Sequence, residues 1–446
     1  MRLSERALVS DRDVAGTYAI DSSLGATAPE AFTVVRARDV GDVVEVLRHA
    51  AAERIPVVPQ GARTGLAGGA TASEGSIVLN LEALDAITEL DEVERLAVVQ
   101  PGVVTNDLKA AAAKVGLAYP PDPASAAWCT VGGNVATNAG GLCCVKYGVT
   151  ADYVRGLDVV LPGGETMRTG RRTAKGVAGF DLTGLFVGSE GLLGVVTSVV
   201  ARLVPAPDPA LTALATFATL DAAIAAILAL RADPSGPSLL ELLDADTITA
   251  VQSIADFGFP ADCAAALIVQ SDRPGHVAED VHRYASLLEA AGATGVAVAD
   301  DAQEADALMA GRRALHAAHE AKGPHFTEDV CVPVARLADL IRAGQEISAT
   351  RGVPVTMSGH AGDGNLHPCF FFAAGDADSR HRAEQAFDDL VHVALRLGGT
   401  ITGEHGVGSL KRRWLPQELG EPEMARQRAV KAVFDPLGIM NPGKVL

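Results

Sequence analysis

The stretch from residue 119 to residue 194 restricts the folds open to this chain more than any other feature, because it is rich in Gly, Asn, Thr and Pro. It contains the runs YPPDPASAAWCTVGGNVATNAGG and GSEGLLGVVT. Glycine loses more backbone freedom on folding than any other residue, so an ordered segment with this much glycine needs a compensating gain. Close approach of the backbone to a bulky ligand would supply that gain.

The length and patterning of the chain predict two domains. Its 446 residues exceed the roughly 250 to 300 at which a single core stops growing. Three prolines in VPAPDPA, residues 204–210, mark the expected boundary. Beyond it strands and long helices alternate and include one hairpin, which predicts an α+β domain with an antiparallel sheet. The expected domains are 1–205 and 206–446, with a tail from about residue 430 to residue 446 returning to the first.

Individual helices are predicted from apolar residues that recur every three or four positions and from capping residues. Asp39 and Asp42 are candidate N-caps before a run of apolar positions, and Thr105 or Asn106 is the candidate cap of a later short helix. Longer helices are expected at 221–232, 276–291, 302–321 and 379–397.

Charge and cysteine usage exclude several classes of protein. The net charge of -18, from 55 acidic and 37 basic side chains, argues against nucleic-acid binding. The six cysteines form no C-x-x-C motif, so no iron–sulfur cluster or thiolate zinc site is expected. The first residues contain no apolar h-region, so no signal peptide is expected, and the absence of an uninterrupted apolar run of about 18 residues predicts no transmembrane segment. These features predict a cytoplasmic protein, or one peripheral to the inner face of the membrane.

The stretch SGHAGDGNLHP, residues 358–368, contains two histidines arranged symmetrically about an Asp-Gly pair. A type I′ turn on Asp-Gly would place His360 opposite His367, with Cβ atoms about 4.5 to 5.5 Å apart, close enough to share a metal. TGEHGVG would add the carboxylate of Glu404, with His405 beside it as a base. In the alternative interpretation, the histidines only decorate a hairpin and Glu404 lies in a solvated loop.

The run VVPQGARTGLAGGA, residues 57–70, follows a predicted strand and would present backbone N–H groups to a pyrophosphate. It is neither a P-loop nor a Rossmann fingerprint, and alone it is a weak signal.

Taken in order, seven motifs resemble one flavoprotein family, from about residue 30 to the C-terminus. They are PPDPAS, CTVGGNVATNAGG, YGVTADYVRGLDVVLPGG, GSEGLLGVVT, GHAGDGNLH, GEHGVG and FDPLGIMNPGKVL. The family is that of D-lactate dehydrogenases and glycolate oxidase large subunits, in the vanillyl-alcohol oxidase and p-cresol methylhydroxylase superfamily. The resemblance implies an α+β, two-domain flavoprotein with a p-cresol-methylhydroxylase-type FAD-binding domain and a substrate- and metal-binding α+β domain. Residues 57–70 contain no histidine to anchor a flavin, so we expect non-covalent FAD.

The resemblance also implies which residues contact FAD. Arg63 departs from the commoner pattern, in which a small residue is frequent, and its guanidinium would either pair with the pyrophosphate or point to solvent. The implied contacts are Pro59, Gly61, Ala62, Arg63, Thr64, Gly65, Leu66, Pro121, Asp122, Ser125, Gly132, Gly133, Asn134, Thr137, Asn138, Gly140, Tyr147, Gly148, Glu190, Gly194, Val195 and Asn441.

The metal ligands implied by the resemblance are His360, His367 and Glu404, with zinc as the expected divalent metal and His405 as the catalytic base. In AGRRALHAAHEAKG, Arg312 matches the family's substrate-binding, catalytically required arginine. Further along the same predicted helix, His316 would lie one turn later on the same face and also bind substrate, whereas His319 and His325 are interpreted as ordinary polar residues.

The implied reaction is metal-assisted oxidation of a D-2-hydroxy acid to the 2-oxo acid, with hydride transfer to the flavin N5. Electrons would pass to an external acceptor such as a quinone, a cytochrome or an electron-transfer protein. D-lactate is the preferred substrate, because Thr327 stands nearest the place where relatives acting on D-2-hydroxyglutarate carry a lysine.

Four alternatives to a D-lactate dehydrogenase stay open. The first two are a glycolate oxidase-type and a D-2-hydroxyglutarate-type enzyme. The third is a flavoprotein subunit that needs iron–sulfur partners, and the fourth is a hydrolytic zinc enzyme without redox activity. A homodimer is compatible with the sequence, which does not define an oligomeric state.

Overall fold

The structure, a computed structural model, describes residues 3–4 and 7–446 and divides the chain into two units. The first unit contains the chain up to Gly141, Gly148–Ala206 and Glu404–Leu446, and the second contains Leu142–Tyr147 and Pro207–Gly403. The return to the first unit begins at Glu404, earlier than the tail that the sequence suggested. The return begins this early because the backbone N–H groups of Val407 and Gly408 already donate to the carboxylate of Glu190.

Strands and helices alternate along both units, with short 3₁₀ turns at Thr150–Tyr153 and Val334–Arg336. In chain order the strands are β1 Leu8–Val9, β2 Phe32–Arg36, β3 Val57–Gln60, β4 Ser76–Asn80, β5 Ile87–Asp91, β6 Leu96–Val99, β7 Leu117–Ala118, β8 Val154–Val160, β9 Thr166–Gly170, β10 Val195–Arg202, β11 Val204–Pro205, β12 Leu211–Phe217, β13 Leu239–Asp244, β14 Ala265–Ser271, β15 Gly295–Val298, β16 His325–Thr327, β17 Val330–Cys331, β18 Val355–His360 and β19 Asn365–Phe371. The helices are α1 Arg12–Gly16, α2 Val40–Glu53, α3 Thr105–Ala113, α4 Val131–Thr137, α5 Cys144–Tyr147, α6 Leu182–Phe186, α7 Leu220–Ala232, α8 Ala245–Gln252, α9 Val277–Ala290, α10 Ala302–Leu308, α11 Ala310–Arg313, α12 Leu315–Lys322, α13 Leu337–Arg351, α14 Ala377–Arg396 and α15 Leu415–Phe434.

The first unit contains two main sheets. One has the order β1-β2-β4-β3, with β2 and β3 parallel to β4, and the other is antiparallel with the order β5-β6-β10-β8-β9. Helix α2 begins after Asp39, whose side chain accepts the backbone N–H of Asp42 at 2.9 Å, as its sequence predicts. The short helix α3 differs from its prediction, since Val104 precedes it and provides no side-chain cap.

The second unit is built on one antiparallel sheet with the order β15-β12-β14-β13-β18-β19-β16, and β17 also pairs with β19. The central strands β13 and β14 are buried along almost their whole length, so their apolar side chains can pack on both faces. Helices α13 and α14 pack against each other and against β18 and β19 respectively. This arrangement confirms the predicted α+β class with an antiparallel sheet.

The apolar stretch 211–232, which came nearest to a membrane span in the sequence, is strand β12 followed by helix α7. Thr219 caps α7 by accepting the backbone N–H of Ala222 at 3.3 Å. Within residues 3–4 and 7–446, every helix is too short or too polar to cross a bilayer.

The β18–β19 hairpin does not have the predicted two-residue turn. His360 pairs with Asn365, and His367 pairs with Ser358, so residues 361–364 form a four-residue loop. The expected direct opposition of His360 and His367 is therefore wrong. The two-residue change in register keeps the parity of the strands, so both imidazoles still occupy one face.

Backbone hydrogen bonds explain the longer loop. Asp363 and Gly364 both donate their N–H groups to the carbonyl of His360, at 3.0 and 3.1 Å. Gly362 donates instead to the carbonyl of Leu240 in β13, at 3.2 Å. The loop is thus attached to a neighbouring strand, which prevents its residues from extending the β18–β19 ladder.

Replacing Gly359 tests this register. Its φ is 152°, and an added Cβ would lie 2.5 Å from the backbone oxygen of Asn365. Gly352, the left-handed C-cap of α13 with φ 63°, has nothing within 4 Å of an added Cβ, so it is a matched control. We expect Gly352→Ala to cost about 1 kcal/mol and Gly359→Ala at least about twice as much, measured by denaturant unfolding. Equal losses for the two variants would contradict the register.

Candidate active site

A cleft in the first unit lies between the loop after β3 and helix α4, and has a volume of about 480 Å³ that includes its part open to solvent. Six of the predicted FAD contacts line it: Pro59, Gly61, Gly132, Gly133, Gly194 and Val195. The sequence reasoning did not identify the remaining lining residues, which are Gln60, Leu81, Pro101, Thr130, Ala136, Phe186, Ser189, Gly191 and Val196.

Glycine is required in this cleft because two chain segments approach closely there. A Cβ on Gly61 would lie 2.4 Å from Oγ1 of Thr130, and a Cβ on Gly132 would lie 2.4 Å from Cβ of Pro101. Glycine contributes bare backbone at five of the fifteen lining positions, and apolar side chains such as Val195 line other parts of the cleft. Backbone amides suit phosphate oxygens and the apolar surface suits an aromatic ring, so these residues fit FAD.

The guanidinium of Arg63 does not simply point to solvent, whereas its expected pairing with the pyrophosphate stays a prediction. Arg63 has a φ of 62°, forms an ion pair of 2.9 Å with Glu82, and lies 4.5 Å from the centre of the Tyr18 ring. In the structure, its charge is therefore balanced by a carboxylate of the same unit.

Three predicted FAD contacts of the α4 region also have structural roles. Asn134 donates to Oγ1 of Thr105 at 2.8 Å, and Thr137 donates to the carbonyl of Gly133 at 3.2 Å. Asn138 ends α4 in the left-handed conformation and accepts the backbone N–H of Ala151. The loops of the first unit carry the predicted contacts Ala62, Thr64, Gly65, Leu66, Pro121, Asp122, Ser125, Gly140 and Gly148.

Tyr147 is the predicted FAD contact that the structure assigns to the second unit. It ends helix α5, and its hydroxyl donates to Oδ2 of Asp272 at 2.5 Å. Lys146 forms an ion pair with the same carboxylate. Residues 142–147 are thereby attached to the second unit, although the sequence placed them in the first domain.

Glu190 and Asn441 join the return segment to the rest of the first unit. Glu190 accepts the backbone N–H groups of Val407 and Gly408, both at 2.8 Å, and burial raises its pKa to about 6 against the effect of these two bonds. Asn441 donates to the carbonyl oxygens of Gly69 and Glu190. Its buried Oδ1 has no hydrogen-bond partner among residues 3–4 and 7–446, so it can accept from a ligand.

The two histidines of the hairpin meet in the second unit. The Nε2 atoms of His360 and His367 are 3.2 Å apart, and the rings are nearly perpendicular. Two nitrogens bound to one tetrahedral zinc at 2.0–2.1 Å are separated by about 3.3 Å, so this spacing fits a shared metal. The contact is diagonal across the strands rather than direct, and aromatic side chains span such a diagonal.

Glu241, which sequence reasoning missed, lies directly opposite His360 in the β13–β18 pair and is fully buried. Its Oε1 is 2.5 Å from Nδ1 of His360, and its Oε2 is 2.6 Å from Nε of Arg312. Burial raises the pKa of Glu241, but the charges and hydrogen bonds of His360 and Arg312 outweigh burial and lower it to about 2. The signal in the sequence was a carboxylate within the apolar strand LLELLD, since a charged side chain is almost never buried without a partner.

Arg312 and His316 do not share a helical face. The predicted helix 302–321 is divided into α10, α11 and α12, and Arg312 lies in α11 whereas His316 lies in α12. The Arg312 side chain is 19% exposed, but that of His316 is 84% exposed and lies 3.3 Å from Glu320. The expectation of one shared face is therefore wrong, because the helix is interrupted between the two residues.

His319, interpreted from sequence as an ordinary polar residue, is the buried histidine of α12. Its Nε2 lies 3.1 Å from Oγ1 of Thr356, and its Nδ1 lies 3.3 Å from Sγ of Cys369. Burial lowers the pKa of His319 to about 4. His325 is close by, with its ring centre 5.5 Å from that of His319 and its Nδ1 2.9 Å from the carbonyl of Gly323.

The chain that leads to Glu404 and His405 is held beside the hairpin of the second unit. Thr402 Oγ1 and the Gly403 N–H both donate to Oδ2 of Asp329, at 2.6 and 2.8 Å. A Cβ on Gly403 would lie 2.4 Å from the side chain of Asn365, the strand partner of His360. Glu404 follows in the sequence and begins the return segment, which is not a β-strand. In a regular strand the adjacent side chains of Glu404 and His405 would point to opposite faces, and this restriction does not apply here.

Comparisons with known proteins agree with this architecture. Residues 32–170 match the family described as FAD binding domain, and residues 206–445 match FAD linked oxidases, C-terminal domain. The chain is 41% identical over 414 residues to glycolate oxidase subunit GlcD of Bacillus subtilis (strain 168), covering 92% of this chain and 88% of that protein. It is 36% identical over 434 residues to D-lactate dehydrogenase of Anaerostipes hadrus, covering 94% and 90%.

Solved structures of low sequence identity share the fold. A 4-ethylphenol oxidase from Gulosibacter chungangensis matches with a TM-score of 0.79 at 18% identity, covering 99% of this chain and 94% of that one. A p-cresol methylhydroxylase with substrate bound matches with a TM-score of 0.76 at 17% identity and the same coverage. The chain belongs to the FAD-linked oxidase family and is an FAD-dependent oxidoreductase of the vanillyl-alcohol oxidase and p-cresol methylhydroxylase superfamily.

The raised pKa of Glu190 predicts a pH-dependent stability. Its pKa rises from 4.5 to about 6 on folding, so its protonated form stabilises the fold below pH 4.5, and this contribution is lost as pH rises through 6. Glu190→Gln cannot titrate, so the stability of the wild type relative to this variant should fall by about 2 kcal/mol between pH 4 and pH 7. Denaturant unfolding at several pH values measures this difference.

Glu89→Gln provides the control of opposite sign. Glu89 is exposed and bonds to Arg172, which lowers its pKa, so its contribution should be lost as pH falls rather than as it rises. A stability difference for Glu190→Gln that does not change with pH would contradict the burial of this carboxylate.

Proposed function

We propose that this protein oxidises a D-2-hydroxy acid, with D-lactate as the first candidate, to the corresponding 2-oxo acid. The arrangement Arg312–Glu241–His360 carries the proposal, because one buried carboxylate holds both a guanidinium and an imidazole. A 2-hydroxy acid has a carboxylate next to its hydroxyl. A guanidinium suits the carboxylate, and a metal held by an imidazole suits the hydroxyl. Two similar proteins are named for glycolate and D-lactate, both of which are 2-hydroxy acids.

A divalent metal, expected to be zinc, would be held by His360, His367 and Glu404. The 3.2 Å separation of the two Nε2 atoms supports the histidine pair, and the anchored Gly403 supports Glu404, which follows it directly. Two histidines and one carboxylate leave a fourth position open for substrate, as in other catalytic zinc sites. A bound metal supplies Lewis acidity, which makes the substrate hydroxyl easier to deprotonate.

The remaining roles fall to residues of the chain. Arg312 would bind the substrate carboxylate through Nη1 and Nη2, since its Nε is occupied by Glu241. His405 would accept the hydroxyl proton as the C2–O bond becomes a carbonyl. The cleft of the first unit would hold FAD non-covalently, and FAD would supply the two-electron acceptor for the C2 hydrogen, which would leave as hydride. The sequence has no iron–sulfur motif, so electrons would leave to an external acceptor.

The substrate side chain is proposed to be small and apolar. Thr327, in the place where a lysine would recognise a distal carboxylate, offers a hydroxyl that lies 3.3 Å from Sγ of Cys369. This favours D-lactate over D-2-hydroxyglutarate. Glycolate is the second candidate, because a glycolate oxidase subunit is among the similar proteins and glycolate is smaller still.

An anaerobic titration of the metal-analysed protein tests the reaction. D-lactate, L-lactate, glycolate and D-2-hydroxyglutarate are added in turn while the flavin absorbance is followed. We expect bleaching by D-lactate and none by L-lactate, with loss of bleaching after chelation and recovery on adding zinc, because the metal would activate the hydroxyl. Undiminished bleaching after complete metal removal would exclude the metal-assisted reaction.

The role of His405 is tested by His405→Ala. This variant should retain FAD but reduce it with D-lactate about 10²- to 10⁴-fold more slowly, because the hydroxyl proton loses its acceptor. The exposed His381 of α14 provides the matched control, and His381→Ala should reduce FAD at the wild-type rate. Stopped-flow absorbance measures both rates. Wild-type reduction by His405→Ala would remove this residue from the mechanism.

A further inference from the structure

The buried carboxylate of Glu241 has two donors, and each of its oxygens accepts from a different one. Oε1 accepts from Nδ1 of His360 in β18, and Oε2 accepts from Nε of Arg312 in α11. Glu241 is completely buried, and the side chains of His360 and Arg312 are 7% and 19% exposed. Water therefore competes little for these bonds, and a charge-assisted hydrogen bond in such surroundings strongly orients both partners.

The first bond selects one form of the His360 imidazole. The 2.6 Å ion pair with the guanidinium of Arg312 marks Glu241 as a carboxylate, which can only accept hydrogen bonds, so Nδ1 of His360 carries the proton. In the neutral ring, Nε2 is then the unprotonated nitrogen, and it is the atom that faces Nε2 of His367. A metal-binding histidine needs this tautomer, and a carboxylate behind the ring commonly enforces it.

The second bond orients Arg312. Its Nε is taken up by Glu241, whereas Nη1 and Nη2 have no hydrogen-bond partner within the described part of the chain. These two groups form the outer edge of the guanidinium, which suits a second carboxylate. Glu241 thus binds Nε of the guanidinium and leaves Nη1 and Nη2 for a ligand.

We propose that Glu241 is a shared positioning residue, which prepares His360 for the metal and Arg312 for the substrate carboxylate. The inference rests on the proposed function, and it adds that metal affinity and carboxylate affinity depend on the same buried group. Because β13 pairs directly with β18 at this position, the backbone fixes the distance between Glu241 and His360.

Two substitutions of Glu241 test the proposal on the FAD-loaded protein. Glu241→Ala satisfies neither donor. Glu241→Gln keeps the volume but has one acceptor and one donor in place of two acceptors, so it cannot satisfy His360 and Arg312 together. The zinc dissociation constant is measured by competition with a chelating indicator, without substrate. The pyruvate dissociation constant is measured by ligand-observed NMR on metal-free protein.

We expect Glu241→Ala to weaken zinc binding about 10- to 100-fold and to weaken pyruvate binding at least about 10-fold. Glu241→Gln should weaken at least one of the two to the same extent. His360→Ala should affect zinc alone, and Arg312→Met should affect pyruvate alone.

Asp244→Asn is the matched control. Asp244 is also a buried carboxylate of β13, but it caps α8 by accepting the N–H of Thr247 at 2.9 Å, and asparagine is an equally good cap. Both dissociation constants should match the wild type in this variant, which separates a positioning role from a general loss of buried charge.

The possible outcomes separate the inference from the proposed function. If His360→Ala binds zinc as the wild type does, the proposed metal site fails whatever the Glu241 variants show. If His360→Ala loses zinc but Glu241→Ala changes neither constant, or only one of them, the shared role of Glu241 is overturned. If Glu241→Ala does not fold, unchanged constants in Glu241→Gln overturn it equally.

Discussion

The second unit depends on the burial of one ionised carboxylate in the middle of an apolar sheet. A buried charge is strongly unfavourable unless its partners replace the hydration that it loses. Glu241 meets this condition because His360 lies directly opposite it in β18 and Arg312 reaches it from α11. The need to satisfy the carboxylate therefore determines the orientation of two side chains that the proposed chemistry uses. Stability and function are coupled at this point, since neither partner can turn away without leaving a buried charge unpaired.

The first unit meets a different constraint, the close packing of glycine backbone against neighbouring chain segments around its cleft. Gly61 lies against Thr130, and Gly132 lies against Pro101, at distances that exclude a side chain. Glycine backbone therefore forms part of the wall of the cleft that is proposed to hold FAD. Beside the same cleft, whose lining includes both sequence neighbours of Glu190, Glu190 and Asn441 attach the return segment, and the buried Oδ1 of Asn441 has no hydrogen-bond partner among the described residues.

Several features of the candidate site could be predicted from the sequence, and the reasons others could not are specific. The histidines were expected on one face of a hairpin, and this was right because a two-residue shift in register preserves the parity of a strand. The register itself was wrong, because the loop is held by a bond from Gly362 to the carbonyl of Leu240, a residue far away in the chain. The helix carrying Arg312 and His316 was expected to be continuous, and no proline or capping residue in the sequence marks its interruption.

The sequence by itself determined the α+β class, the approximate division into two parts, the family and the residue types available for catalysis. These follow from local periodicity, from turn-forming residues and from motifs, all of which are read along the chain. Only the tertiary structure decided that Glu241 lies behind His360, that Arg312 shares this carboxylate, and that the guanidinium of Arg63 is paired with Glu82. Each of these contacts joins residues distant in sequence, and their geometry depends on strand register and helix placement. Register and placement are set by packing and by the satisfaction of buried polar groups across the whole unit, which no local pattern of residues records.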